Sequence, residues 1–323
     1  MLNDIPVSII MLTCNRENLV RRAVESILSQ TMPNFEFIIV DNGSEDRSGD
    51  ICKEYVKQDS RVRLIIRPKG NIGVGRNDGL ALSCGRYITF IDDDDVAQPG
   101  MMMFLYSLAE EHGADVAICG SWKEINGEIL PNFIFDETMI MNGEEAVIDL
   151  CERSHFNAAT PTKLWKRNLF EGVRFDETGK YDDIAVVYKL VASARNVVLN
   201  GQPQYCFYRH TGNNSGFTDK DKMLTPEQLE EYFRVYHERT AYLSAKFPDS
   251  KDYFDYSHWS FLISMFHKIT LNGLTKCASQ REYARAILEE NYDTFLNSVY
   301  IKDFEKQNLT RYFHKIFHGR SFV

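Results

Sequence analysis

No stretch of the 323-residue chain carries the roughly 18 to 20 unbroken apolar residues that a bilayer-crossing helix needs, so no membrane span is expected. The opening residues, MLNDIPVSIIMLTCNR, lack the basic start of a secretion signal, and their short β-branched run reads as a first core strand. The seven cysteines (14, 52, 84, 119, 151, 206 and 277) are odd in number, scattered, and include no C-x-x-C pair. That pattern suits reduced, mostly buried thiols in a cytoplasmic protein. Basic residues are outnumbered, 37 Lys and Arg against 46 Asp and Glu, for a net charge of −9. A duplex-DNA binder normally shows a basic face, so no nucleic-acid partner is expected. Internal repeats and low-complexity tracts are also missing.

What remains is the composition of a soluble globular protein, 44% hydrophobic, 26% charged and 12% aromatic, ample for a sizeable core. The length suits about two domains. Residues 7–13 (VSIIMLT), 35–41 (FEFIIVD), 62–67 (VRLIIR), 87–92 (YITFID) and 114–122 (ADVAICGSW) read as buried strands. Between them, residues 17–30, 47–58, 73–84 and 100–112 carry helical spacing. Strands alternating with helices predict an α/β fold, a mostly parallel sheet covered on both faces, whose ligands gather at the carboxyl ends of the strands. Those ends carry Thr13, Asn15, Arg16, Asp41, Asn42 and the run Asp92 to Asp95.

Beyond residue 122 the pattern is less regular. Helices are expected over 143–154 and 183–194, and strands over 196–200 and 204–210. Residues 210–226, HTGNNSGFTDKDKMLTP, are rich in turn formers and read as a mobile loop and domain boundary. The expected domains are therefore 1–218, itself divided at about 122, and an α-helical C-terminal region over 219–323.

The stretch ITFIDDDDVAQPG, residues 88–100, poses the chemical question. Four adjacent carboxylates repel one another, so either a solvated acidic turn or a divalent cation, which recruits clustered carboxylate oxygens, explains them. NIGVGRNDG (71–79) supplies glycines for close backbone approach, with Arg76 and Asn77; a guanidinium is suited to bidentate contacts with anionic oxygens. FDETGKYDDIAVVYKL holds a second acidic pair, Asp182-Asp183, at a helix start that the macrodipole also favours for purely structural reasons.

Taken in order, PVSIIMLTCNRENLVRRAVESILSQT, FEFIIVDNGSEDRS, NIGVGRNDGLALSCGRYITFIDDDD and FDETGKYDDIAVVYKL resemble the family 2 glycosyltransferases, nucleotide-sugar-dependent inverting enzymes with the GT-A fold. The resemblance covers roughly residues 5 to 215 and leaves the helical tail outside. It implies that Asp41 accepts the N–H of a uracil-type base and that Thr13, Asn15, Arg16 and Arg76 line the donor pocket. It implies Mn²⁺ or Mg²⁺ at Asp94 with Asp92 assisting, and Asp93 on the donor ribose. Asp95 is left without a role beyond backing the others. Asp183 matches the general base, with Asp182 beside it where relatives carry Glu, and His210 matches a third metal ligand found in some members. Cys14 stands where many relatives have an aromatic that packs on the base, Leu12 where they have Pro, and Asn42 where a second Asp is frequent. Trp165 falls near the region where relatives build the acceptor pocket, core packing being the alternative.

The expected activity is transfer of a sugar, from a UDP-sugar in the first instance, to a hydroxyl of a glycan or lipid-linked glycan acceptor in polysaccharide or glycoconjugate biosynthesis. A nucleotidyltransferase-like enzyme and a catalytically degenerate sugar-nucleotide-binding subunit are the alternatives. The last stretch combines Lys302, Lys306, Arg311, Lys315 and Arg320 with Leu309, Phe313, Ile316 and Phe317. Such a basic amphipathic helix suits either the inner, anionic face of the cell membrane or docking on the helical region.

Overall fold

The computed structural model describes residues 5–210, 213 and 224–317, with side chains to Phe313 at the C-terminal end. The chain divides into two compact units, Met1–His210 and Thr211–Val323. The boundary expected at 218/219, and most of the loop expected over 210–226, lie outside the described residues.

The first unit alternates as the apolar runs dictate: β1 (Val7–Thr13), α1 (Val20–Leu28), β2 (Glu36–Asp41), α2 (Ser48–Gln58), β3 (Val62–Ile66), α3 (Ile72–Leu82) and β4 (Tyr87–Asp92). There follow β5 (Val96–Ala97), α4 (Met101–Glu111), β6 (Val116–Ile125), β7 (Glu128–Asn132), β8 (Thr138–Met141), α5 (Gly143–Glu152), β9 (Lys163–Lys166), α6 (Asp182–Ser193) and β10 (Val197–Arg209). One sheet contains all ten strands, in the order β3-β2-β1-β4-β9-β6-β10-β5, with β7 beside β6 and β8 beside β10. β1 to β4 are parallel, as are β6 and β10, while β9 runs antiparallel between β4 and β6. The sheet is therefore mixed but mostly parallel.

Side chains alternate across the sheet with period two. Val7, Ile9 and Met11 join Val20, Ala23, Val24 and Ile27 of α1 in the core. On the other face, Ile10 and Leu12 meet α3 at Gly79 and Gly75, where an added Cβ would lie 2.5 and 2.7 Å from them. The glycines of NIGVGRNDG thus serve close helix-to-strand packing.

Several expected boundaries move. α1 begins at Val20 rather than near 17, because residues 14–17 form a turn laced to residues 44–48: Asn15 N donates to Ser44 Oγ, Arg16 N to Ser48 Oγ and Glu17 N to Asp46 Oδ2. Asn15 and Arg16 accordingly sit in a strand-to-helix turn and not at a helix start, while Thr13 is the last residue of β1. The two short strands expected after residue 195 are one strand, β10, whose register against β6 shifts at Pro203, a residue with no N–H to give the ladder. β6 runs on to Ile125 and turns through Asn126-Gly127, both at positive φ, into β7. Trp165, in β9, is fully buried and edge-on to Phe170, so it belongs to the core.

The second unit comprises α7 (Pro226–Lys246), α8 (Lys251–Leu271), α9 (Ala278–Glu290), α10 (Tyr292–Leu296) and α11 (Asp303–Phe317). Leu309 and Phe313 of α11 are fully buried, with the Phe313 ring 5.2 Å from that of Phe266 in α8. Buried Glu305 accepts from Tyr256 and Ser260 of α8 and from Lys302 N. Over its described side chains, the apolar side of this helix therefore has a partner within its own unit. The side chains of Lys315, Ile316, Phe317 and Arg320 lie outside the described residues. Among the described residues no helix is long and apolar enough to cross a membrane.

Candidate active site

Three neighbouring strand ends build the floor of the site. Thr13 pairs with Asp41 across β1 and β2, and Leu12 with Asp92 across β1 and β4. Chain order reverses on either side of β1, the position at which open α/β sheets leave a crevice.

Asp41 is 3% exposed. Its Oδ1 accepts from Ser44 N at 2.9 Å, and its Oδ2 faces Gly49 in the first turn of α2 closely enough that a Cβ there would stand 2.4 Å away. Asn15, in the left-handed region at φ 54, accepts from Glu45 N and is exposed. Arg16 reaches inward, its Nε 3.5 Å from Asp93 Oδ1.

The acidic run leaves β4 in a turn that directs its four carboxylates differently. Asp93 is 9% exposed. Burial, reinforced by repulsion from Asp94, pushes its carboxyl up to about 7 against the pull of Thr13 and Arg16. Asp94 Oδ2 stands 2.9 Å from His210 Nε2. Asp95 turns away, accepting from Tyr208 N at 2.7 Å and bonding the Tyr205 hydroxyl; burial and the charges of Asp92 and Asp94 raise its carboxyl. Asp92 leans towards Arg76, its Oδ1 3.6 Å from Nη2. Its side chain keeps 41% of its exposure, so the burial that raises its carboxyl weighs less there than at its neighbours.

Arg76 is the hub. It projects from α3 onto Phe90 and Phe175, whose rings pack edge-to-face, with its guanidinium carbon 5.6 and 5.3 Å from their ring centres. Its Nη1 lies 2.7 Å from Asp182 Oδ2 at the start of α6. The expected neighbour of Arg76 was a diphosphate; what the structure shows beside it are the two acidic segments. Burial raises the Asp182 carboxyl, with Arg76 opposing. Asp183 is half-buried and accepts from Ile184 N through Oδ1 at 2.8 Å. Burial lifts its carboxyl also, against Arg76 and Lys163.

The segment before α6 is sewn to α3. Asn77 exchanges both amide bonds with the Phe175 backbone and donates to Glu177, and Asn71 donates to Gly179 O. The structure thus gathers Thr13, Arg16, Asp41, Arg76, Asp92 to Asp94, Asp182, Asp183 and His210 about the carboxyl ends of β1, β2 and β4, with Asn15 at the outer turn.

Residues that sequence reasoning passed over complete it. Arg22 of α1 donates to Asp94 O at 2.5 Å and lies over the Tyr208 ring. Lys163 of β9 is fully buried, donates to Ala159 O at 2.7 Å, and is pushed by burial down to about 7. Neither has a local pattern that separates it from an ordinary surface cation.

Among the described residues no three His, Cys, Asp or Glu side chains stand ready as a metal cage. Mg²⁺-type sites, however, need only one or two carboxylates beside substrate phosphates. Asp94 with His210, and Asp92 two residues earlier, supply hard-oxygen and imidazole donors of that kind. Burial first, and the neighbouring Asp94 charge after it, raises the Asp92 and Asp93 carboxyls, and a cation beside them would favour their charged forms. The residues present therefore fit such an ion.

The fold has solved counterparts. The crystal structure of S. aureus TarS 1-349 in complex with UDP-GlcNAc superposes with a TM-score of 0.60, covering 91% of this chain and 79% of that one at 18% identity. The shared fold is GT-A, a mostly parallel sheet flanked by helices with a helical C-terminal region. The family model for glycosyl transferase family 2 matches residues 8–170, and the chain belongs to that family. Glycosyltransferase GlyG of Streptococcus pneumoniae serotype 4 is 33% identical over 220 residues, 64% of this chain and 72% of that protein. The poly(ribitol-phosphate) beta-N-acetylglucosaminyltransferase TarP of Staphylococcus aureus is 31% identical over 169 residues, 51% of this chain and half of its own length.

Proposed function

We propose that this glycosyltransferase moves a sugar, with inversion, from a UDP-sugar to a hydroxyl of a glycan or lipid-linked glycan acceptor in polysaccharide or glycoconjugate synthesis. The observation that carries the reading is the convergence of two acidic segments, Asp92–Asp94 and Asp182–Asp183, on one buried arginine. A solvated acidic turn would instead leave its carboxylates in water. A nucleotide-sugar needs a charged cradle for its diphosphate, and its acceptor needs a base a short distance away.

In this reading Asp183 takes the proton of the acceptor hydroxyl, its raised carboxyl being better matched to that task than an ordinary aspartate. Asp182 holds Arg76, and Arg76 orients the acidic loop and offers its guanidinium towards the diphosphate. Asp41 accepts from the base, Thr13, Asn15 and Arg16 border the nucleoside, and Asp93 takes the ribose. Asp94, Asp92 and His210 would hold Mn²⁺ or Mg²⁺. The chemistry supplied by that cation, once bound, is neutralisation of charge on the departing nucleoside diphosphate. TarS, crystallised with UDP-GlcNAc, supports UDP as the nucleotide, and the sugar would be an N-acetylhexosamine or a hexose. TarP, by its name an N-acetylglucosaminyltransferase acting on poly(ribitol-phosphate), makes hydroxyls of cell-surface polymers the acceptor class to try first. Work on such acceptors would place the protein in the cytoplasm, with any contact to an anionic membrane made through the basic side of α11.

A nucleotidyltransferase would place a Gly-rich basic loop directly after β1, whereas residues 14–17 are tied to the 44–48 turn. The test is a thermal-shift screen of nucleotide-sugars with and without Mn²⁺, since a ligand of the native state raises Tm. A larger rise with a UDP-sugar when Mn²⁺ is present is expected; no shift with any nucleotide-sugar would overturn the reading. Transfer or hydrolysis of the responding donor then separates an enzyme from a degenerate subunit.

A further inference from the structure

Asp95 is the residue of the acidic run that the reaction leaves unused, yet it is 3% exposed. A buried carboxylate among like charges persists only where hydrogen bonds hold it. Its bonds all run to one strand: Tyr208 N donates to Oδ1 at 2.7 Å, and the Tyr205 hydroxyl, which accepts from Asp92 N at 3.1 Å, bonds it as well. From the opposite side Arg22 lays its guanidinium 4.4 Å from the centre of the Tyr208 ring while donating to Asp94 O. Tyr208 and His210 are two residues apart on an extended strand end and so share a side. Their rings stack, with centroids 5.5 Å apart and planes at 29°, and His210 Nε2 then meets Asp94 Oδ2 at 2.9 Å.

We propose that Asp95 and Arg22 are positioning residues that grip Tyr208 by its backbone and by its ring, and thereby hold the His210 imidazole against Asp94. The inference rests on the reading above for the purpose of that pairing, a cation carried by a nucleoside diphosphate. It accounts for the fourth aspartate, which donor chemistry alone does not require. It also accounts for Arg22, whose hydrogen bond and ring contact both end on this one assembly.

The experiment uses the full chain and compares Asp95→Ala, Asp95→Asn and Arg22→Ala. Histidine imidazole resonances are followed without nucleotide, that of His210 being identified by its loss in His210→Gln. The chain has eight histidines, so the other seven report on the fold. Asp95→Ala and Arg22→Ala should move the His210 signal alone, while Asp95→Asn, whose amide oxygen still accepts from Tyr208 N, should leave it near its wild-type position. Calorimetric titration of UDP with Mn²⁺ should show affinity falling about tenfold in the first two variants, the usual scale for partners that orient a metal ligand, and recovering in the third. An unmoved His210 signal with unchanged affinity in Asp95→Ala and Arg22→Ala overturns the proposal. Where Asp95→Ala disturbs all eight signals, Arg22→Ala decides. If the wild-type protein binds no UDP with Mn²⁺, the proposed function fails, while the imidazole signals still judge the grip.

Discussion

Arg76 Nη1 and Asp182 Oδ2 stand 2.7 Å apart with their side chains only 10% and 5% exposed, joining α3 to α6 across 106 residues of chain. Removing either partner strands the other charge in the interior, which typically costs about 3 kcal/mol or more. Arg76→Met and Asp182→Leu should each destabilise the chain by that order in urea unfolding. The double variant should lose clearly less than the sum, because the partners are coupled. Additive losses would mean that the bridge carries no energy.

The raised carboxyl of Asp93 predicts an inverted pH response of the unliganded protein. Its native value is about 7 against 3.8 for the free side chain. Between those limits the native state holds a proton that the unfolded chain has released, so this contribution grows as pH falls through 7 and is complete below about 4. Lys163, held near 7, changes the balance only above that pH. His258 in the helical unit, buried and pushed down to about 4, pulls the other way below about 6.5, so a difference measurement is needed. Asp93→Asn should exceed wild type in stability at pH 8, on the order of 1–2 kcal/mol, and the gap should narrow as pH falls below 7 and close only below about pH 4. A gap independent of pH contradicts the assignment.

Gly73 tests the seam that carries the base. A Cβ there would meet the Asp176 carbonyl oxygen at 2.0 Å, and backbone cannot step aside as a side-chain end can. Gly73→Ala should cost about 1–3 kcal/mol by overpacking and lower turnover by shifting residues 175–183. Gly100→Ala, whose Cβ would find only Gln204 Oε1 at 3.6 Å, should stay within about 0.5 kcal/mol of wild type. Equal effects would remove the steric argument.

How far the sequence was legible follows from the range of each signal. β1 to β4 and their helices announce themselves because buried parallel strands are short apolar runs and their helices carry a 3.6-residue period. Asp92 to Asp94 and Asp182–Asp183 were visible because charge at a strand or helix end is a local pattern. β9 was not, since KLWK is too short to show a period, and its place between β4 and β6 is set by pairing far along the chain. β7 had a usable signal that was passed over, the Asn126-Gly127 turn between alternating residues. The meeting of Arg76 with Asp182, the grip on Tyr208 and the burial of Lys163 depend on tertiary approach alone. Asp95 is the instructive case: its residue type was plain, and its partner, a backbone amide 113 residues away, was not.

The central claim is that Asp183 removes the acceptor proton in a site that binds its donor by other residues. The direct measurement is Asp183→Asn, compared with wild type for sugar transfer and for binding of the donor that responds in the thermal-shift screen. The account predicts that transfer falls by at least about 10² to 10⁴-fold, the usual contribution of a positioned base, while donor affinity stays within about twofold. Turnover retained at near the wild-type rate, with the donor bound as before, would contradict it.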